Sequence, residues 1–257
     1  MSLQRFHDKV VIVTGAGSGI GAATARRFWA EGASVVLAGR TEETLAAVAE
    51  ELDEERSLIQ VCDVAIGSDG RQLVEDAIAR FGRIDVLVNN AGTGTVSGFL
   101  DMPFAHWHRT IEINLDGVFN MTRAVLPSLL DSRGAIVNVS SVCGSGGDPG
   151  LSAYNASKGA VTNLTRSLAL EFVKTGLTVN AVCPSFVDTP MVDESAERIQ
   201  RATGRSGDEA RGALAAMNAS GRFVTSEEVA AAIAYLCHPN SRSITGACLT
   251  VDGGTTA

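Results

Sequence analysis

Seven short runs rich in β-branched residues, at 10–14, 34–38, 58–62, 86–89, 135–139, 178–182 and 247–251, are separated by intervals long enough to hold helices. That alternation constrains the fold more than any other feature of the chain. Parallel strands cannot be joined by tight turns; they need a crossover of a dozen or more residues, usually a helix. Several runs are apolar at nearly every position, as strands covered on both faces must be. The spacing therefore predicts one parallel sheet, with helices over 19–31, 45–52, 104–130, 151–174 and 226–237. The stretch 184–221 breaks the pattern, mixing Glu, Arg, Ser and Gly without a strand-like run. It reads either as a partly helical lid over a pocket, spanning 185–221, or as a surface insertion.

The chain has 257 residues and 45% hydrophobic content, enough for one α/β domain spanning 1–257. Residues 1–9 are polar and run straight into the first strand, with no room for a signal-peptide core. No apolar stretch reaches membrane-spanning length. A cytoplasmic location is expected. A net charge of −8 without a clustered basic face argues against nucleic acid and anionic membranes as partners. The five cysteines are scattered and lack CxxC spacing, as expected for reduced thiols. Four of them, Cys62, Cys183, Cys237 and Cys248, are expected to be buried packing residues, while Cys143 lies close behind Ser141 in a polar loop. His106 and His108 are two apart and cannot share a helix face, so no metal site is expected.

The first strand ends in Thr14-Gly15-Ala16-Gly17-Ser18-Gly19-Ile20-Gly21 and enters a helix. Glycines there allow the turn and leave amides free for a pyrophosphate at the helix N-terminus. The spacing from Gly15, three intervening residues and then one, differs from the usual GxGxxG. Farther along, Tyr154 and Lys158 are one helical turn apart, and Ser141 lies thirteen residues before the tyrosine. On one helix face, an ammonium beside a phenol favours the phenolate. Moving a phenol from about 10 to near 7 takes roughly 4 kcal/mol. One unit charge about 4 Å away supplies roughly that much at an effective dielectric of 20. Taken alone, the same residues also suit a surface Tyr/Lys pair beside a Ser-rich loop.

With Asn89-Asn90-Ala91-Gly92 after the fourth strand and Val251-Asp252-Gly253-Gly254 near the end, the sequence resembles the short-chain dehydrogenase/reductase family over nearly its whole length, most of all its 3-oxoacyl reductase-like members. The resemblance implies a Rossmann-type, doubly wound parallel sheet of seven strands with helices on both faces. It implies a catalytic set of Asn114, Ser141, Tyr154 and Lys158. In that set Tyr154 is the general acid or base, Ser141 bonds the carbonyl oxygen, Lys158 lowers the tyrosine and holds the cofactor ribose, and Asn114 anchors a relay water. It places the dinucleotide against Gly15, Ser18, Gly19, Ile20 and Gly21, against Asp63 and Val64 at the adenine, and against Asn90, Ala91 and Gly92 on the ribose side. Tyr154, Lys158, Pro184, Val187 and Thr189 would contact the nicotinamide half. After Pro184 the family commonly has glycine, and this chain has Ser185.

An acidic residue ending the second strand would hold the ribose of NAD; here that place is taken by Gly39, followed by Arg40. Arginine suits a 2'-phosphate, so NADP(H) is the expected cofactor, with NAD(H) as the alternative if Arg40 is a solvated residue. The candidate pocket, Thr93, Gly94, Ser145, Gly146, Leu151, Phe186, Met191 and Val192, is mostly apolar and favours a ketone, a secondary alcohol or a 3-oxoacyl thioester. Asp131 and Leu170 stand where relatives acting on acyl carrier protein tend to be basic, although Arg198, Arg201, Arg205 and Arg211 could compensate. Two other readings remain open: an NAD-dependent secondary alcohol dehydrogenase of the 3-hydroxybutyrate type, and a non-catalytic dinucleotide sensor. The family resemblance also implies a homotetramer built on 104–130 and 151–174.

Overall fold

In the computed structural model, which describes residues 4–257, the apolar runs become strands β1 (Val10–Thr14), β2 (Ser34–Gly39), β3 (Ser57–Val61), β4 (Val86–Asn89), β5 (Ala135–Val139), β6 (Thr178–Pro184) and β7 (Cys248–Val251). Part of the polar N-terminal stretch, residues 1–3, lies outside the described residues. The strands form one sheet in the order β3-β2-β1-β4-β5-β6-β7. Every pairing is parallel. The sheet grows one way from β1 to β3 and the other way from β4 to β7, so a crevice opens where β1 and β4 end side by side.

Alternation along β1 shows why both faces need cover. Val11 and Val13 pack into one apolar layer with Phe28 of α1 (Gly19–Ala30) and Val229 and Ile233 of α9 (Ser226–Cys237). Val10 and Ile12 face the other layer, with Leu73 of α3 (Gly67–Phe81) and Met121, Val125 and Leu129 of α5 (Gly117–Ser132). Helix α3 has no counterpart among the helices expected from the sequence.

Three helical expectations shift. Helix α2 spans Glu42–Ala49 rather than 45–52, starting where Glu42 and Glu43 lie against the positive end of the helix dipole. The single helix expected over 104–130 is α4 (Phe104–Ile111), a wider π-type turn at Glu112–Asp116, and α5. The region 151–174 forms α6 (Ser152–Phe172). Cysteine burial differs at one position: Cys62, Cys183 and Cys237 are buried, but Cys248 is only partly so because β7 is an edge strand. Among the described residues no helix is long and apolar enough to cross a membrane.

The irregular stretch contains α7 (Pro190–Thr203) and α8 (Gly207–Ala215), the latter started by a capping box between Ser206 and Glu209. The two helices share a small core of Val192, Ala196, Ala210 and Leu214, joined by Phe186, Ile199 and Phe223. Arg211 ties them further, pairing with Asp188 at 2.6 Å and with Asp193 while its guanidinium lies 5.2 Å from the Phe223 ring centre. Exposed pairs of this kind are worth about 1 kcal/mol or less to the whole molecule. Arg211→Ala is therefore expected to leave the unfolding midpoint nearly unchanged while speeding amide hydrogen exchange across 188–215. Equal protection in both proteins would show that the apolar contacts alone hold the segment.

Candidate active site

The glycine turn is built around its own backbone. Gly15 and Gly19 have φ of +64° and +49°, a region open to glycine. A Cβ on Gly21 would stand 2.1 Å from the Gly15 carbonyl oxygen and 2.6 Å from Asn90 Nδ2. Behind the turn, the Thr14 hydroxyl accepts the amides of Asn90 and Ala91 at 2.9 and 3.0 Å, and Asn90 Nδ2 donates to the carbonyls of Thr14 and Gly15 at 2.9 and 3.3 Å. The amide nitrogen of Asn90, expected on the ribose side, is thus turned onto the loop. Ile20 packs into the core. Ser18 caps α1 without a side-chain bond, and no acidic residue occupies the first turn. A bare helix N-terminus at the β1/β4 crevice, reached over a surface with no side chain at Gly15, Gly17, Gly19 or Gly21, fits the pyrophosphate of a dinucleotide.

The other expected cofactor residues surround this crevice. Arg40 is exposed just past β2 and has no side-chain partner among the described residues. Asp63 is committed to its own turn, accepting the Ala65 amide at 3.0 Å, and pairs with Arg109 at 3.3 Å. Val64 is buried against Gly117 at the start of α5. On the opposite side, Pro184 ends β6, Val187 is buried and bridges to Val224, and Thr189 lies so close to Gly19 that a Cβ there would be 2.9 Å from its methyl. Ser185 adopts no left-handed geometry, since the described non-glycine residues with positive φ are Asp8 and Arg133. The usual glycine is not needed there.

The two serines after β5 divide their work. Ser140 is spent on structure, donating to the Lys158 carbonyl at 3.0 Å and sharing a bond with Thr162 at 2.9 Å. Ser141 accepts the Cys143 amide at 3.2 Å and donates weakly to the Pro184 carbonyl at 3.4 Å, with its hydroxyl close enough to Tyr154 to act on the phenol. Lys158 is buried, with Nζ donating to the Val139 carbonyl at 2.8 Å and lying 5.7 Å from the Tyr154 ring centre. A Cβ on Gly92 would be 3.4 Å from Asn114 Oδ1 and 3.6 Å from Lys158 Nζ, so Gly92 lets the asparagine and the lysine approach one wall.

Electrostatics depart from the simple picture of a lysine lowering a phenol. Burial pushes Tyr154 up to about 12, the Cys143 thiol adds to this, and the neighbouring Ser141 hydroxyl pulls it back in part. Burial also pulls Lys158 down to about 8. The ammonium donates to a backbone carbonyl and lies 5.7 Å from the ring centre, and desolvation outweighs its charge. From the protein's own groups alone, Tyr154 holds its proton at neutral pH.

Asn114 has no exposed surface and sits in the π-type turn. Its Oδ1 accepts the Thr93 amide at 2.8 Å, and its Nδ2 donates to the Thr93 carbonyl at 2.9 Å and to Ser157 Oγ at 3.0 Å. Of the expected pocket residues, Gly94 lies against Tyr154 and Met191, at 3.5 and 3.7 Å from a Cβ built on it. Phe186 and Val192 instead belong to the small core of α7 and α8, Val192 from the inner face of α7 and Phe186 from the loop before it. Thr14 and Ser157 were missed. The sign for Thr14 was a lone hydroxyl ending an apolar strand; for Ser157, a small polar residue flanked by Tyr154 and Lys158 on a helix face that packs inward.

Comparison with known proteins identifies the family. The sequence profile described as enoyl-(acyl carrier protein) reductase matches residues 15–256. The chain is 42% identical over 253 residues to a meso-2,3-butanediol dehydrogenase of Serratia marcescens, covering 98% of this chain and 96% of that protein. It superposes with a TM-score of 0.92 on the crystal structure of an actinorhodin polyketide ketoreductase variant with NADPH, at 38% identity and 99% coverage of both chains. A 3-ketoacyl-(acyl-carrier-protein) reductase from Brucella melitensis, complexed with NADH, matches with a TM-score of 0.87 at 31% identity, covering 98% of this chain and all of that one (100%). The chain belongs to the short-chain dehydrogenase/reductase family, nicotinamide-dependent oxidoreductases acting on CH–OH groups.

Proposed function

We propose that this protein reduces an uncharged ketone to a secondary alcohol with NADPH, using Tyr154 as the proton donor. The observation that carries this reading is the meeting of Ser141, Tyr154, Lys158 and Asn114 beside the glycine cradle. The glycine turn and Lys158 would hold a nicotinamide dinucleotide, whose chemistry there would be hydride transfer to the carbonyl carbon or, in reverse, from the alcohol. Ser141 directs its hydroxyl at the carbonyl oxygen as negative charge develops there. Tyr154 gives that oxygen its proton. Lys158 holds positive charge near the phenol and the ribose, and Asn114 secures the wall behind it.

Support for NADP(H) comes from Arg40, exposed, unpaired among the described residues and following a strand end without a carboxylate. NADPH is expected to bind at least tenfold tighter than NADH, a difference of about 1.4 kcal/mol, when both are titrated by nucleotide fluorescence. Arg40→Ala should erase that preference. If NADH binds as well to the wild type, the NAD-dependent secondary alcohol dehydrogenase takes precedence. Intact binding without turnover on any ketone or alcohol would point to a dinucleotide sensor.

The substrate side supports an apolar ketone, free or thioester-linked, because Gly94 and Met191 flank Tyr154 without a charge. Acyl carrier protein is the less favoured donor. Arg198 bonds Glu194 and Ser195, Arg201 pairs with Glu197, and Arg211 is held by two aspartates, which leaves few arginines for docking. The same reading makes 1–257 one cytoplasmic domain with 185–221 as its lid. Assembly as a homotetramer is supported by Phe104, Phe119 and Leu170, exposed along α4, α5 and α6, and by Val173 at the end of α6.

A further inference from the structure

Ser157 has no exposed surface and lies on α6 between Tyr154 and Lys158. Its hydroxyl donates to the Tyr154 carbonyl at 2.7 Å and accepts from Asn114 Nδ2 at 3.0 Å. The same amide grips both backbone groups of Thr93, at 2.8 and 2.9 Å. Three segments distant in sequence are thereby joined through one hydroxyl and one amide: the turn after β4, the π-type turn, and the helix carrying the proton donor and the lysine. Among the described residues, no other side-chain hydrogen bond connects the π-type turn to α6.

A serine in a helix ordinarily bonds back to a carbonyl three or four residues earlier, and that bond alone would be a local matter. The second bond changes its meaning. Two bonds to Thr93 fix the plane of the Asn114 amide, and the remaining Nδ2 hydrogen goes to Ser157, so the hydroxyl is what ties that fixed amide to α6. Without it, a buried N–H is left without an acceptor and α6 loses its side-chain tie to the π-type turn. The wall formed by Gly92, Asn114 and Lys158 would then move relative to Tyr154.

We infer that Ser157 is a positioning residue for carbonyl reduction, setting the placement of Tyr154 and Lys158 against the Gly92–Asn114 wall through the Asn114 amide. This rests on the proposed role of Tyr154. The test compares steady-state kinetics and melting temperature for wild type, Ser157→Ala, Asn114→Ala, the double variant and Tyr154→Phe. Expected for Ser157→Ala is a fall in kcat of about tenfold to a hundredfold, as for a misplaced reacting group, with KM and the dinucleotide Kd unchanged. The double variant should lose no more than Asn114→Ala alone, because both act through one amide. A wild-type kcat with only a lower melting temperature, or losses that add in the double variant, overturns the inference. If Ser157→Ala does not accumulate as folded protein, the same comparison is made on Ser157→Cys, which keeps the shape and replaces the acceptor oxygen by a weakly accepting sulfur. Turnover retained by Tyr154→Phe would remove the reading of the site and this inference with it, whereas an inactive Tyr154→Phe beside an unaffected Ser157→Ala removes this inference alone.

Discussion

Tyr154→Phe is expected to lower kcat by about 10²–10⁴-fold while leaving dinucleotide affinity and the unfolding midpoint close to wild type, since general acid catalysis contributes on that scale. The substitution removes one oxygen from a half-buried ring and leaves the ring's contacts with Gly94 and Lys158 in place. The Ser141 hydroxyl keeps the Cys143 amide as a partner. The pH dependence of the wild type follows from the same atom. With the phenol pushed up to about 12, it is protonated at neutral pH and ready to act as an acid. Alcohol oxidation needs the ionised form, so its rate should climb with pH across the neutral and alkaline range while reduction stays level. Oxidation that is independent of pH would assign the proton to another group.

Gly21→Val should weaken dinucleotide binding by at least about a hundredfold, or roughly 2.7 kcal/mol. A side chain at this position has nowhere to go: its first carbon would stand 2.1 Å from the Gly15 carbonyl oxygen and 2.7 Å from the carbonyl carbon. Those are backbone atoms of the turn, so relief comes only by moving the turn and breaking its bonds with Asn90. Stability should fall too, by about 1–3 kcal/mol, as in other overpacked sites. The contrast is Gly212 in α8, where an added Cβ meets nothing within 4 Å. Gly212→Ala should leave binding intact and stabilise slightly, by about 0.4–1 kcal/mol. Fluorescence titration and thermal melting of both variants separate a blocked cradle from general damage.

The sheet was legible in the sequence because both its faces are covered: residues 10–13 and 86–88 are apolar without interruption, and few other structures use such short uninterrupted runs. Helix ends were less so. Leu45 and Val48 mark the apolar stripe of α2, but its start lies at Thr41, Glu42 and Glu43, which carry no hydrophobic signal. The break after Ile111 depends on how Asn114 reaches Thr93, a contact between residues 21 apart that no local pattern encodes. Asn114, Ser141, Tyr154 and Lys158 were legible by their match to the family's order and spacing, with only the Tyr154–Lys158 pair set by helical periodicity. Their directions were not: the Lys158 ammonium turns to Val139, the Asn90 amide turns to the glycine loop, and Phe186 and Val192 turn away from Tyr154. Orientation is decided by packing partners that arrive from other segments.

The four-residue core of α7 and α8 also has a meaning for how such a chain diversifies. A segment that supplies its own interior can be exchanged as a cassette between homologous chains, because its packing travels with it. Transplanting 186–223, which carries Phe186, Asp188 and Phe223 along, would bring a new residue to the place of Met191 while Asn114, Ser141 and Lys158, all outside the segment, keep their bonds to Ser157, Cys143 and Val139. Substrate preference and chemical competence are then inherited separately, which is the arrangement that lets one scaffold acquire a new substrate in a single recombination.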